Sequence, residues 1–379
     1  MTTITLYRVG LHARRTALIA LSFAVCVSFS ARAEESLSVV ACGPGAANEA
    51  QQSRGAQVAS RAVDQKPISS ASRCDQLTPV AALDSSNYAF TSIDVPGAVT
   101  TVGRDLTRCA ESYVGEFDDK GGHHGFLLQA GNFKAIDGPG AVSTDAHGIN
   151  SEGDIVGVYR TPTEHGYLLN TDSLTPIDVP NSLATSLQGI NDRGDMVGGY
   201  CDVAPCAVEG NRGFVASDGE FTSIDFPDAQ VTQAWKINAR RTVVGLYHYG
   251  DGLWHGYLLQ RGEFNKVDFP GARATFAFGI NNRGDVVGSY CSAPNCGLPL
   301  AGNHAYILHR DQFMSFDFPG AIGTRAFGIN RHGDIAGAYR DSKNQNHAFL
   351  AIRQDSDCTD ERDDNEQNDV GVGDAAGQK

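Results

Sequence analysis

Long apolar runs are missing from this sequence beyond its N-terminus. A membrane-spanning helix needs about 20 consecutive apolar residues. The run from Thr16 to Phe29 has 14, and no later run is long enough. Basic side chains are also scarce, with 30 Lys and Arg against 44 Asp and Glu. That balance argues against a nucleic-acid partner and against an anionic membrane surface. No four His or Cys residues fall at zinc-site spacing, and no loop carries the alternating oxygen ligands of a calcium site. No metal or cofactor is therefore expected. Nor is there a nucleophile elbow, or an evident pair of carboxylates for acid–base work. Tryptophan occurs only at Trp235 and Trp254.

What is present begins with an export signal. Arg8, Arg14 and Arg15 precede the apolar run, and Ala31-Arg32-Ala33 is a small-residue cleavage site. Residues 1–33 are read as the signal, with Glu34 as the first mature residue. Arg14-Arg15 has poor flanks for a twin-arginine signal. Val39-Val40-Ala41-Cys42 resembles a lipidation box, but Glu34 and Glu35 separate it from the apolar run. Four arginines leave with the signal, so 26 basic side chains face 44 acidic ones, a net charge of −18. Residues 34–86 lack periodicity and read as a low-complexity linker. Residues 354–379 hold nine acids against Arg362 and Lys379 and are expected to be a disordered acidic tail. Cys26 leaves with the signal, and eight cysteines remain in an exported chain. Cys201 and Cys206 follow Tyr200 just as Cys291 and Cys296 follow Tyr290, so two local disulfides are expected.

Between these ends one phrase recurs. It reads AHGINSEGDIVGVY from Ala146, LQGINDRGDMVGGY from Leu187, AWKINARRTVVGLY from Ala234, AFGINNRGDVVGSY from Ala277 and AFGINRHGDIAGAY from Ala326. A degraded copy, RDLTRCAESYVGEF, starts at Arg104. A period of roughly 40–50 residues is that of a propeller blade. Each unit resolves into four short strands, A to D. Every D copy carries a proline: Pro96, Pro139, Pro180, Pro227, Pro270 and Pro319. Proline cannot donate to a ladder, which puts D outermost. The array starts with a lone D strand and ends on a C strand. If the first D completes the last blade, residues 87–353 close into a six-bladed β-propeller of four-stranded blades, an all-β fold without open sheet edges.

The recurring GINxxGD, H-[GA]-[FY]-L and F-x-x-[IV]-D-[FV]-P-G-A segments resemble those of the HAF-repeat family of probable extracellular repeat proteins. His347-Ala348-Phe349 carries the tripeptide itself. The resemblance covers most of residues 90–353 and implies an exported bacterial repeat protein, extracellular, periplasmic or at the cell surface. It implies no reaction.

Features present in every repeat serve what every repeat needs. This holds for the strand-D aspartates Asp94, Asp137, Asp178, Asp225, Asp268 and Asp317. It also holds for the start of strand C, His124, His165, His255, His304 and His347 with Arg212 in the odd copy, while the Arg-Gly-Asp tripeptides at Arg193 and Arg283 are the A–B turn of the repeat, where glycine and aspartate are wanted anyway. A ligand site needs asymmetry. The second strand-A column reads Asp105, His147, Gln188, Trp235, Phe278 and Phe327, half polar and half aromatic. The reading places it at the mouth formed by the B–C and D–A loops, with Tyr249 and Trp254 nearby. Aromatic side chains there suit a sugar or peptide. The competing reading of the same column is packing between blades. The chain is read as a monomeric, non-catalytic module that binds an extracellular glycan, peptide or protein. A polysaccharide hydrolase or lyase using Asp105 and His147, and a structural or adhesive surface protein, are the alternatives.

Overall fold

The computed structural model describes residues 81–82, 87–171, 173–206, 211–293 and 302–354, all within one compact unit, Ser69–Lys379. These residues form an all-β propeller. After β1 (Ala81–Ala82) and β2 (Tyr88–Ile93), each repeat supplies its strands in the order A, B, C, D. Repeat 1 is β3 (Thr100–Leu106), β4 (Ser112–Asp118), β5 (His123–Gln129) and β6 (Asn132–Ile136). Repeat 2 is β7 (Ser143–Ile149), β8 (Ile155–Arg160), β9 (Glu164–Asn170) and β10 (Ser173–Ile177). Repeat 3 is β11 (Ala184–Ile190), β12 (Met196–Cys201), β13 (Arg212–Ser217) and β14 (Glu220–Ile224). Repeat 4 is β15 (Val231–Ile237), β16 (Val243–His248), β17 (His255–Gln260) and β18 (Glu263–Val267). Repeat 5 is β19 (Ala274–Ile280), β20 (Val286–Cys291), β21 (His304–His309) and β22 (Gln312–Phe316). Repeat 6 is β23 (Gly323–Ile329), β24 (Ile335–Arg340) and β25 (Asn346–Arg353).

Hydrogen bonding gives four separate blades and one double sheet where the sequence predicts six blades. Repeats 3 and 4 each form a four-stranded sheet, and repeat 6 forms one with β2 at its outer edge. Repeat 5 gains β1 as a parallel fifth strand beside β22, so two residues assigned to the linker belong to the sheet. Repeats 1 and 2 share an eight-stranded sheet because one parallel pair, His123 opposite Ser143, bridges them.

The predicted closing strand pairs as expected. β2 runs antiparallel to β25, from Tyr88 opposite Arg353 to Ile93 opposite Ala348. Packing joins the ends as well. Ile93 and Val95 share a core with Leu106, Tyr113 and Phe126 of repeat 1 and with Ala336 and Ala348 of repeat 6. Tyr113 donates its hydroxyl to the Phe349 carbonyl at 2.7 Å.

The prolines act differently from the reading above. Each follows the end of strand D and occupies the second position of a tight turn, closed by bonds such as Ala98 N–H to the Val95 carbonyl. The third position has positive φ, as at Gly97 (86°) and Gly271 (77°), the pattern of a type II turn. A threonine in every strand A then clamps the corner. Thr101, Thr144, Thr185, Thr232, Thr275 and Thr324 each accept from the backbone N–H just before the proline. Only Pro176 lies inside a D strand, at the outer edge of its sheet.

Strand β2 covers Phe316, Phe318 and Phe349 with Phe90. A chain starting at Val99 instead of Ala81 should therefore unfold at a clearly lower temperature, because it opens an edge and uncovers these rings. Thermal unfolding followed by circular dichroism measures this. An unchanged midpoint would show that β2 is dispensable.

Candidate functional site

Every strand A carries a bulge, and the bulged residue points to the propeller axis. The bulged residues are Arg104, His147, Gln188, Trp235, Phe278 and Phe327. Arg104 therefore holds the place the sequence reading gave to Asp105. The A–B connection of repeat 1 has one residue more than the others: Leu106 pairs with Tyr113, whereas Ile149 pairs with Ile155. That insertion shifts the degraded copy by one position.

The column is interior. His147, Gln188, Trp235, Phe278 and Phe327 are all buried, as is Asp105. Trp235, Phe278 and Phe327 pack ring on ring with centroids 4.5–6.4 Å apart. The Arg104 guanidinium lies 4.5 Å from the Phe327 ring and pairs bidentately with Glu116. The aromatic half of the column is thus a plug, and the predicted mouth is filled. Tyr249 and Trp254 do lie in the B–C loop of repeat 4, where Trp254 is half-buried against His248. Asp105 and His147 do not form an acid–base pair. His147 donates Nδ1–H to the Leu187 carbonyl, and burial pushes its pKa down to about 3.

One step along strand A, the residues are Asp105, Gly148, Gly189, Lys236, Gly279 and Gly328. The glycines are required by close approach. A Cβ on Gly189 would stand 2.7 Å from the Trp235 carbonyl, and one on Gly279 2.6 Å from that of Phe327. Two side chains fill the remaining space. Lys236 donates to Asp105 at 2.8 Å, to the His147 carbonyl at 2.6 Å and to the Gln188 carbonyl at 3.1 Å. Those bonds use all three ammonium protons. Asp105 also accepts the Ile149 N–H at 3.1 Å. Burial holds the Lys236 pKa below its ordinary value, and Asp105 opposes that shift.

Beyond this strut, toward the A–B turns, lies an axial cavity of 190 Å³. The strut residues line its floor, and the ends of the A strands line its walls. The repeated asparagine organises that wall. Its Oδ1 accepts the N–H groups two and four residues on, as Asn191 does from Arg193 and Asp195. Its Nδ2 reaches the next repeat. Asn191 donates to the Asn238 carbonyl (3.0 Å), Asn238 to that of Asn281 (3.1 Å), Asn281 to that of Asn330 (3.1 Å), and Asn330 to that of Arg108 (2.8 Å). The residue following this position varies: Arg108, Ser151, Asp192, Ala239, Asn282 and Arg331. These six are half-buried or exposed and line the cavity. Asp192 accepts from Ser151, and Asn282 from the Ala239 N–H. Arg108 and Arg331, from neighbouring repeats, line one side of the mouth. Sequence reasoning missed this column, although its variability beside an asparagine repeated in five of the six copies was visible.

On the opposite side of the strut, Glu116, Asp145 and His147 bring three potential ligand atoms within 4.8 Å of one another. Their carboxylates are already engaged, Glu116 by Arg104 and Asp145 by Arg160 at 2.7 Å and by His123. A cation there would have to displace these partners. Burial raises the Glu116 pKa. Burial also pushes Asp145 up, but bonds and charges from His123, His147 and Arg160 outweigh it and hold the carboxyl well below the carboxylate range.

The repeated polar pairs are structural. His124, His165, His255, His304 and His347 bond Asp137, Asp178, Asp268, Asp317 and Asp94 at 2.6–2.9 Å. Arg212 approaches Asp225 in the odd copy. Both Arg-Gly-Asp aspartates are occupied, Asp195 by Arg241 and Ser217, Asp285 by His309. Cys201 and Cys206 form the predicted disulfide. Cys291 is disulfide-bonded, as is Cys109, while Cys296 lies outside the described residues.

No family model matches the chain, and no curated protein matches it. Among solved structures, it is similar to a putative TolB from Agrobacterium tumefaciens (12% identity, TM-score 0.46, covering 66% of this chain and 89% of that one). It is similar to the Aleuria aurantia lectin in complex with Fucα1-6GlcNAc (10%, 0.44, 69% and 93%). It also resembles the β-propeller domain of the Trilobed protease from Pyrococcus furiosus (12%, 0.41, 67% and 81%). Likeness this distant carries no argument about function.

Two outcomes are expected. Asp105→Asn and Lys236→Met should each destabilise the fold by about 3–5 kcal/mol, since each leaves a buried group unpaired. The double variant should lose less than the sum. Denaturant unfolding of the cycle measures this, and strict additivity would mean the two groups do not act together. His123 bonds Asp145 and Asp118, and the Asp145 bond raises its pKa to about 9. Its stabilisation is complete below the unfolded value of about 6.5 and is lost as pH rises through 9. The thermal midpoint should fall across that window, and His123→Gln should flatten the profile.

Proposed function

We propose that this chain is an exported, non-catalytic binding module of the HAF-repeat type. Its double sheet is two blades, which makes the ring six-bladed. Its ligand site is the axial cavity on the A–B face. The observation that carries this reading is the cavity itself: a polar-walled recess of 190 Å³, with a variable rim around an otherwise uniform ring. Its depth is set by the Asp105–Lys236 strut, so a ligand enters from one side only.

The chemistry of the rim selects the ligand class. The cavity is smaller than the roughly 300–1,000 Å³ of drug-sized sites, so one small group of a larger molecule fits. The wall offers backbone and amide groups, and Arg108 and Arg331 favour a negative charge beside them. The group is a carboxylate with neighbouring hydroxyls or amides. A uronate residue of an extracellular glycan has that chemistry, and a peptide C-terminus shares part of it. Binding rather than turnover is favoured because the titratable groups at the floor are held by each other and by backbone.

Calorimetric titration of the full chain with a galacturonate oligomer, its neutral galactose counterpart and a short peptide with a free C-terminus tests the reading. The galacturonate oligomer is expected to bind. Arg331→Ala and Arg108→Ala should each weaken it about tenfold, the loss of one charge-assisted contact. Trp254→Ala on the other face should leave it unchanged. Binding of the peptide alone would reassign the carboxylate to a protein terminus. Equal binding of the neutral oligomer, unaffected by the arginine variants, would overturn the site.

A further inference from the structure

The D–A corners share one backbone geometry. The residue before each strand A donates its N–H to the carbonyl that ends strand B. Val99 bonds Asp118 (2.7 Å), Val142 bonds Arg160 (2.7 Å), Leu183 bonds Cys201 (2.6 Å) and Ile322 bonds Arg340 (2.8 Å). Gln230 and Arg273 make the same bond to His248 and Cys291. The backbone is therefore placed alike in all six repeats, and only the side chain differs.

Those side chains divide the ring. Ile322, Val99, Val142 and Leu183 occupy four consecutive repeats, from 6 through 1 and 2 to 3, and are 43%, 59%, 74% and 48% exposed. Repeats 4 and 5 carry Gln230 and Arg273 instead. Among the described residues, the other exposed large hydrophobics are Val203 and Tyr249. Both lie in B–C loops, which emerge on the same face. A single aliphatic side chain in water needs no explanation, but concentration of all of them on one face marks an interaction surface.

Charge selects the occupant. Each of the four aliphatic corners contains an aspartate, namely Asp317, Asp94, Asp137 or Asp178, and none contains a lysine or arginine. Aliphatic and acidic groups thus alternate along the corners, and the exposed Lys120 and Lys343 stand in the B–C loops of the same face. A second copy of this chain would set carboxylate against carboxylate. An anionic lipid surface would be repelled in the same way.

We propose that this arc docks a segment of another protein that carries both aliphatic and Lys or Arg side chains. The surface lies on the face opposite the axial cavity and does not depend on the carboxylate reading of that cavity. The two faces would let one molecule hold a partner and a ligand at once.

A synthetic peptide of leucine and lysine, and one of leucine and glutamate of equal length, serve as probes for the full chain. The leucine–lysine peptide is expected to bind and the leucine–glutamate peptide to fail. The triple variant Val99→Ser, Val142→Ser, Leu183→Ser leaves the charge unchanged and should weaken binding about tenfold or more, given the apolar area removed. Arg273→Ser, outside the arc, should not weaken it. Circular dichroism should show the same unfolding midpoint for the triple variant, because these side chains are exposed. Equal binding by the triple variant would reduce the effect to general electrostatics and overturn the proposal. So would binding of the leucine–glutamate peptide. Self-association of the wild type that the triple variant abolishes would make the occupant a second copy and overturn it equally.

Discussion

The buried ion pair between Asp105 and Lys236 sets the interior of this propeller. The two residues stand three repeats apart and meet where the other four repeats have glycine. The lysine is neutralised by the carboxylate and saturated by two backbone carbonyls, so it can remain charged in a dry place. On one side of the pair the axis is filled by rings and by the Arg104–Glu116 and Arg160–Asp145 ion pairs. On the other side it opens into the axial cavity of 190 Å³. The strut thus separates the filled half of the axis from the cavity.

The rest of the ring is held by devices that each repeat writes again. The asparagine closes its own turn in repeats 2 to 6, and in repeats 3 to 6 its Nδ2 also reaches the next repeat. The threonine of strand A clamps the D–A corner, and the proline with the following positive-φ residue turns it. Stacked rings such as Phe269 on Tyr290, 3.5 Å between centroids, join neighbouring repeats. These small contributions add round a closed ring, and closure by β2 leaves no first or last sheet exposed.

The architecture was legible because the repeated residues are the structural ones. Period, strand order and the closing strand all follow from patterns that recur six times. The site was less legible, for two physical reasons. A bulge changes which residue points inward without changing the sequence pattern. A one-residue insertion after Leu106 then moved Asp105 into the wrong column and hid Arg104. Aromatic residues at a predicted mouth also read alike whether they face water or fill an axis. Trp235, Phe278 and Phe327 fill it. Two signals do stand in the sequence: the variable residue after each asparagine, and the aliphatic residue that ends four consecutive D–A corners.

If the strut divides the axis, the proposed ligand enters from the A–B face. A crystal structure of the full chain grown with a galacturonate oligomer tests this most directly. One sugar ring is expected in the axial cavity, its carboxylate turned toward Arg108 and Arg331, with the Asp105–Lys236 pair intact beneath it. A sugar stacked on Trp254 and Tyr249 at the opposite face, or an axis opened by separation of Asp105 from Lys236, would contradict it.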